Sequence, residues 1–238
     1  MQTPTILQTN AAIVNQFLSI IQQQLGNGQT LKGRSILDCG AGGPIPPVAI
    51  FAEQGMDAHG IDINERQLTL SKEFCSKTGL KIHLQDADMR ALPYEDEAFD
   101  YVYEHYSVCH LIAEDTKKTI DEFRRVLKPG GMALFGVISK DSWPQSVFGQ
   151  RVDGTPVHHG LFSDEEANKL VEDWEIVLRE KVVRILSKEA EALSESEWMT
   201  LHPEAPKTCS KDEWKRQYVQ RTNYFTYVHS FYYLRKPE

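Results

Sequence analysis

Residues 36–43 read Ile36-Leu37-Asp38-Cys39-Gly40-Ala41-Gly42-Gly43. A short apolar run breaks abruptly into glycines. This is the pattern of a strand ending in a turn where the backbone bends sharply and approaches a ligand with no Cβ in the way. In isolation such a loop is shared by nicotinamide enzymes, nucleotide binders and plain tight turns. Its neighbours decide how it is read.

Outward from the loop the chain alternates between two rhythms. Ser35-Ile36-Leu37 leads into a helical stretch over 47–54, and the apolar run 58–61 leads into another over 65–77. Residues 80–84 and 99–103 read as third and fourth strands, and a helix over 116–127 precedes a fifth at 132–138. Strands alternating with helices in this way form a mostly parallel sheet covered on both faces, an α/β fold. Lys128-Pro129-Gly130-Gly131 reads as a sharp turn, because proline cannot continue a helix and glycine tolerates positive φ.

Before the loop, Ile13, Phe17, Ile20, Ile21 and Leu25 recur at helical spacing and stop at Asn27-Gly28. After residue 140 the pattern loosens. Ser163-Asp164-Glu165-Glu166 is a helix cap with an acidic first turn, and 174–186 and 224–234 read as strands. Between those strands, residues 187–223 form a charged insertion holding Trp198 and Trp214. With no repeat and no linker, the expectation is one domain over 1–238. Segments 1–30 and 187–223 are expected to fold over the site, as a helical lid and a cap.

Composition narrows the classes. The chain has 238 residues, enough for one full hydrophobic core, and a formal net charge of -8. That charge argues against a nucleic-acid backbone as partner, since such binders cluster excess Lys and Arg. No apolar run approaches the roughly 20 residues of a membrane helix, and the start lacks the features of a signal peptide. Cys39, Cys75, Cys109 and Cys209 show no paired spacing, so the expectation is free thiols, no metal site and a cytoplasmic protein.

Two further elements surround the glycine loop. Asp62, in Gly60-Ile61-Asp62-Ile63-Asn64, ends the next strand about 20 residues on, where a carboxylate can accept both hydroxyl protons of a ribose. Asn64 is the better cap for the following helix, which frees Asp62 for a ligand. Then come Asp86-Ala87-Asp88-Met89-Arg90-Ala91-Leu92-Pro93, Ala98-Phe99-Asp100-Tyr101-Val102, and Phe123-Arg124-Arg125-Val126-Leu127-Lys128-Pro129-Gly130-Gly131. In this order, the motifs resemble the class I S-adenosyl-methionine (SAM)-dependent methyltransferases, in the methyltransferase type 11-like, small-molecule branch. The resemblance is dense over 34–140 and loose elsewhere.

The resemblance implies a Rossmann-like, seven-stranded sheet whose last strand is antiparallel. It also implies that Gly40 and Gly42 lie against the methionine part of SAM, with Asp38 and Ala41 among the cofactor-binding residues. Asp62 would take the ribose hydroxyls, Ile63 would lie against adenine, Asp88 would accept from the adenine amino group, and the Met89 main chain would meet a ring nitrogen. Glu104 would lie near the methionyl amino group. One departure is Pro44, where the family has a third glycine, followed by Pro46 and Pro47. Three residues without N–H weaken an anion site, and a dinucleotide pyrophosphate depends on those donors more than the single carboxylate of SAM does.

The expected reaction is direct in-line methyl transfer to a small-molecule acceptor. Candidate bases are His105 and His159, with His110 and His158 weighed beside them; Tyr106, Trp143 and Phe148 are candidate acceptor walls. No nucleic acid, membrane or metal partner is expected, and the chain is expected to be a monomer or homodimer. The alternatives are a non-catalytic SAM-binding regulator and an NAD-dependent oxidoreductase, in which the Asp88-Met89 block would have no role. A nucleic-acid methyltransferase is disfavoured by the charge and by Glu104-His105-Tyr106-Ser107 standing where an Asn/Asp-Pro-Pro-aromatic motif would be.

Overall fold

The structure, a computed structural model, describes residues 5–26, 28–142, 160–185 and 226–238. Its elements are α1 (Thr5–Gln24), β1 (Ser35–Cys39), α2 (Val48–Glu53), β2 (Asp57–Asp62), α3 (Glu65–Thr78), β3 (His83–Asp86) and β4 (Phe99–Glu104). There follow a 3-10 turn (Val108–His110), α4 (Ala113–Val126), β5 (Leu127–Ser139), β6 (Leu161–Phe162), α5 (Asp164–Leu170), β7 (Glu175–Ile185) and β8 (Thr226–Arg235).

The strands form one sheet in the order β3-β2-β1-β4-β5-β8-β7, with β6 adding a two-residue ladder to β5. β1 to β5 pair in parallel, whereas β8 runs antiparallel between β5 and β7. The last strand is therefore antiparallel, as expected, and short β6 brings the described strands to eight.

Strand side chains alternate between faces, and two cores follow from that alternation. Leu37, Val102, Phe135 and Tyr232 point into one, where Ile120, Phe123 and Val126 of α4 and Trp174 cover them. Ile36, Tyr103, Leu134 and Tyr233 point into the other, beneath Phe17 and Ile21 of α1 and Phe51 of α2. Phe17 meets Tyr103 at 5.9 Å and Phe51 at 6.3 Å between ring centroids, so the described half of α1 belongs to the core. The expected cap at 187–223 lies outside the described residues.

Cap chemistry fixes two helix starts. Asn64 accepts the N–H groups of Arg66 and Gln67 and begins α3, and Ser163 with Glu166 closes a reciprocal capping box on α5. One expectation needs correcting. Residues 128–131 are not a free turn before β5, because the strand already begins at Leu127, opposite Phe99, and passes through a bulge. Gly130, at φ 72°, donates its N–H to Lys236 O, and Lys236 N–H returns to Gly131 O. The C-terminal segment thus holds the glycines within the sheet, a long-range pairing with no local signal.

The strand order turns outward in opposite directions from β1 and β4. At such a switch point the loops leaving the carboxyl ends diverge and leave a crevice, the usual ligand position in open α/β sheets.

Candidate active site

The crevice outside β1, β2 and β4 is a cavity of about 1120 Å³, of the size that small-ligand sites have. Its floor is the glycine loop. Gly40 and Ala41 both donate their N–H to Ile61 O at 2.8 Å, which folds the loop back onto β2. Gly40 has φ 97°, and a Cβ there would lie 1.9 Å from Ser107 Oγ. A Cβ on Gly42 would lie 2.2 Å from Asp62 Oδ2. Each glycine therefore lets one neighbouring loop come close: Gly40 the loop after β4, Gly42 the loop after β2. Ser71 of α3 pins the turn from below, its hydroxyl 2.6 Å from Ala41 O and 3.0 Å from Gly43 O.

The loops after β2 and β3 make one wall. Asp62 Oδ1 accepts the Asn64 N–H at 2.7 Å. Partial burial raises its pKa, while N–H groups of Asn64 and Gly42 pull it back. Beside it Ile63 is 66% exposed, a large apolar side chain held at the cavity with no partner among the described residues to bury it. Asp88 is gripped by Arg90, whose Nη2 stands 2.6 Å from Asp88 Oδ2 and whose Nη1 reaches Asp115 at 2.8 Å. That guanidinium holds the Asp88 carboxyl below its usual range.

The loop after β4 makes the facing wall. Glu104 is fully buried, and its carboxylate accepts N–H groups from Ser107, Val108 and Gly136, the last two at 2.8 and 3.1 Å. Burial pushes its pKa up to about 7 against those three hydrogen bonds. The bonds hold a loop in which Tyr106 adopts φ 68°, a strained value for a side chain of that size. The His105 ring lies on Tyr106 with centroids 3.8 Å apart.

Of the expected cofactor residues, Gly40, Gly42, Asp62, Ile63, Asp88 and Met89 line this one cavity. Asp38, Ala41 and Glu104 are buried beneath it. Asp38 accepts the Val48 N–H at 2.9 Å, fixing the start of α2 where Pro46 and Pro47 have no N–H of their own. Burial raises its pKa well above the carboxylate range, and Glu104 and Asp62 add to the shift. His105 lies behind Tyr106, while His110 lines the cavity itself. His158, His159, Trp143 and Phe148 lie outside the described residues. Gln67, Ser107 and Arg90 also line the cavity; no motif in the sequence singles out the first two, and Arg90 stood inside the Asp86–Pro93 block without a role.

The family model described as a methyltransferase domain matches residues 37–135, the segment that carries all the loops of this crevice. That segment is similar to the SAM-dependent methyltransferases, and it makes up less than half of the chain. A Gibberella zeae sterol 24-C-methyltransferase is 37% identical to this chain over 109 residues, 44% of this chain and 27% of that protein. A Coxiella burnetii ubiquinone biosynthesis O-methyltransferase is 29% identical over 127 residues, 52% of this chain and 50% of that protein. The match thus spans about a quarter to a half of the length of these relatives. The solved structure of a Methanosarcina mazei SAM-dependent methyltransferase covers 92% of this chain and 97% of its own, with a TM-score of 0.61 at 17% identity, a likeness in fold. Among the described residues no helix is long and apolar enough to cross a membrane.

Proposed function

We propose that the chain transfers a methyl group from SAM to a small-molecule acceptor by direct in-line displacement. The observation that carries this reading is the convergence of six expected cofactor residues on one cavity at the switch point of the sheet.

The residues present fit the cofactor. Asp62 keeps acceptor capacity beyond its bonds to the Asn64 and Gly42 N–H groups, enough for two ribose hydroxyls. Ile63 offers an exposed apolar face to adenine. Asp88 would receive the adenine amino group and the Met89 main chain a ring nitrogen, while Gly40 and Gly42 leave room for the methionine part. Glu104, with its carboxylate committed to three backbone donors, would act on the site through the loop it holds.

When bound, SAM would supply a methyl carbon on a positive sulfur; the acceptor nucleophile would bond to that carbon as the C–S pair returned to sulfur, giving S-adenosyl-homocysteine (SAH). The protein's part is alignment and exclusion of water; alignment of this kind is worth roughly 7–11 kcal/mol. For a protic acceptor a base adds about 10²–10⁴-fold. Among the described histidines His110 has direct access to the cavity, whereas His105 would act through Tyr106.

A small-molecule acceptor is supported by the acidic net charge of -8 and by the sterol and ubiquinone-pathway methyltransferases among the relatives. The test is to incubate the full chain with SAM labelled in its methyl group and pooled phenols, amines, thiols and sterols. Label is expected in the small-molecule fraction, with SAH released. Label in protein or nucleic acid would overturn the acceptor class. Bound SAM with no transfer to any pool would favour a regulator.

A further inference from the structure

At the other end of β2, away from the cavity, three side chains that bind metals face one another. Asp57 opens the strand, His59 follows two residues on, and the parallel register sets His59 directly beside His83 of β3. Asp57 to Asp62 spans five residues, so this cluster lies roughly 16 Å along the strand from the ribose-side carboxylate. It is separate from the site described above.

The geometry points to a binding site for a divalent transition cation of the zinc class on Asp57, His59 and His83. The His59 Nε2 is 3.5 Å from Asp57 Oδ2, and the His83 Nε2 is 3.7 Å from Asp57 Oδ1. One ligand atom from each of the three residues lies within 4.8 Å of the others. In a tetrahedral zinc site with bonds of about 2.0–2.1 Å, ligand atoms stand roughly 3.3–3.5 Å apart, so small rotations of exposed side chains close the set. The two imidazoles face each other with centroids 4.6 Å apart and planes 25° from parallel. An ion lies in the plane of each imidazole that binds it, so the exposed His83 ring turns out of this stack to complete the set.

One ligand is held in advance. His59 packs edge-on against Phe99 at 5.2 Å and Tyr94 at 6.0 Å, which fixes its ring while leaving Nε2 toward Asp57. The His83 side chain is 69% exposed and that of Asp57 53%, so water has access to the remaining coordination position. Two imidazoles and one carboxylate suit zinc, nickel or copper and not magnesium, which demands oxygen ligands. The physical consequence is a clip: β3 is a four-residue edge strand with little buried surface, and an ion shared across the pair ties it to β2. This inference does not depend on the methyltransferase reading.

Zinc chloride titrated calorimetrically into metal-stripped full-length protein tests it. One equivalent should bind with a Kd in the micromolar range or tighter, and magnesium should give no heat. H83A and D57N, both at exposed positions, should each weaken zinc binding at least tenfold. The H158A/H159A double variant should leave it intact. Saturating zinc should raise the melting temperature of the wild-type chain by about 3 °C or more, and not that of H83A. No stoichiometric uptake, or uptake that H83A and D57N leave unchanged, would overturn the proposal.

Discussion

Asp62 and Glu104 end two strands of the same sheet, and burial raises the pKa of both, yet they do opposite work. The register explains the contrast. β1 pairs Cys39 with Ile61 on one side and with Glu104 on the other, so Asp62 stands one residue further out than Glu104. A single step along a strand moves a side chain to the other face. Glu104 therefore turns into the protein and meets three N–H donors, while Asp62 turns into the crevice. A strand-end acid can receive a ligand where the backbone leaves lone pairs free, and serves as scaffold where it does not.

The contrast can be broken at the glycines between the two loops. Gly40→Ala combines a positive φ with a Cβ 1.9 Å from Ser107 Oγ, and is expected to cost roughly 3–4 kcal/mol of folding stability in denaturant unfolding. A loss below about 1 kcal/mol would show that the loop after β4 is not tightly held.

Next in size is the pH behaviour of Glu104. Its folded pKa, about 7, lies above the ordinary 4.5, so its contribution is fully present below about pH 4.5 and is lost as pH rises through 7. The shift corresponds to about 3 kcal/mol. The stability difference between wild type and Glu104→Gln should fall by that order from pH 4.5 to above 7; a pH-independent difference would mean the carboxylate is not buried as described.

On the ligand side, Asp62→Ala should weaken SAM binding at least tenfold, about 1.4 kcal/mol, with little change in unfolding. Wild-type affinity in that variant would remove Asp62 from the ribose. Asp88→Ala should have the smallest effect, a loss of a few-fold in SAM affinity. The Met89 main chain stays in place, and Arg90 retains Asp115. A loss larger than that of Asp62→Ala would reverse the ranking of the two walls.

Much of the fold could be read locally. Apolar strands followed by helices, the Asn64 cap and the Ser163–Glu166 box are all short-range patterns, and the structure contains them. What escaped depends on register between distant strands. Nothing near Glu104 announces that Gly136 will donate to it from β5, and nothing near Gly130 and Gly131 announces their pairing with Lys236. The motif positions Gly40, Gly42, Asp62, Ile63, Asp88 and Met89 do meet in one cavity, because each sits at the carboxyl end of a neighbouring parallel strand. Asp38 and Glu104 sit in the same motifs and face inward, a difference of side-chain direction that sequence order does not carry. Ser71 and Ser107 are legible only once α3 and the loop after β4 are in place against the glycine turn.

Loops from β1, β2, β3 and β4 are expected to hold one adenosyl ligand bearing a positive sulfur. Calorimetric titration of the full-length chain with SAM, SAH and NAD addresses it most directly. One equivalent each of SAM and SAH should bind, in competition with each other, with no uptake of NAD. A folded chain that binds neither adenosyl compound, or that binds NAD in their place, would contradict it.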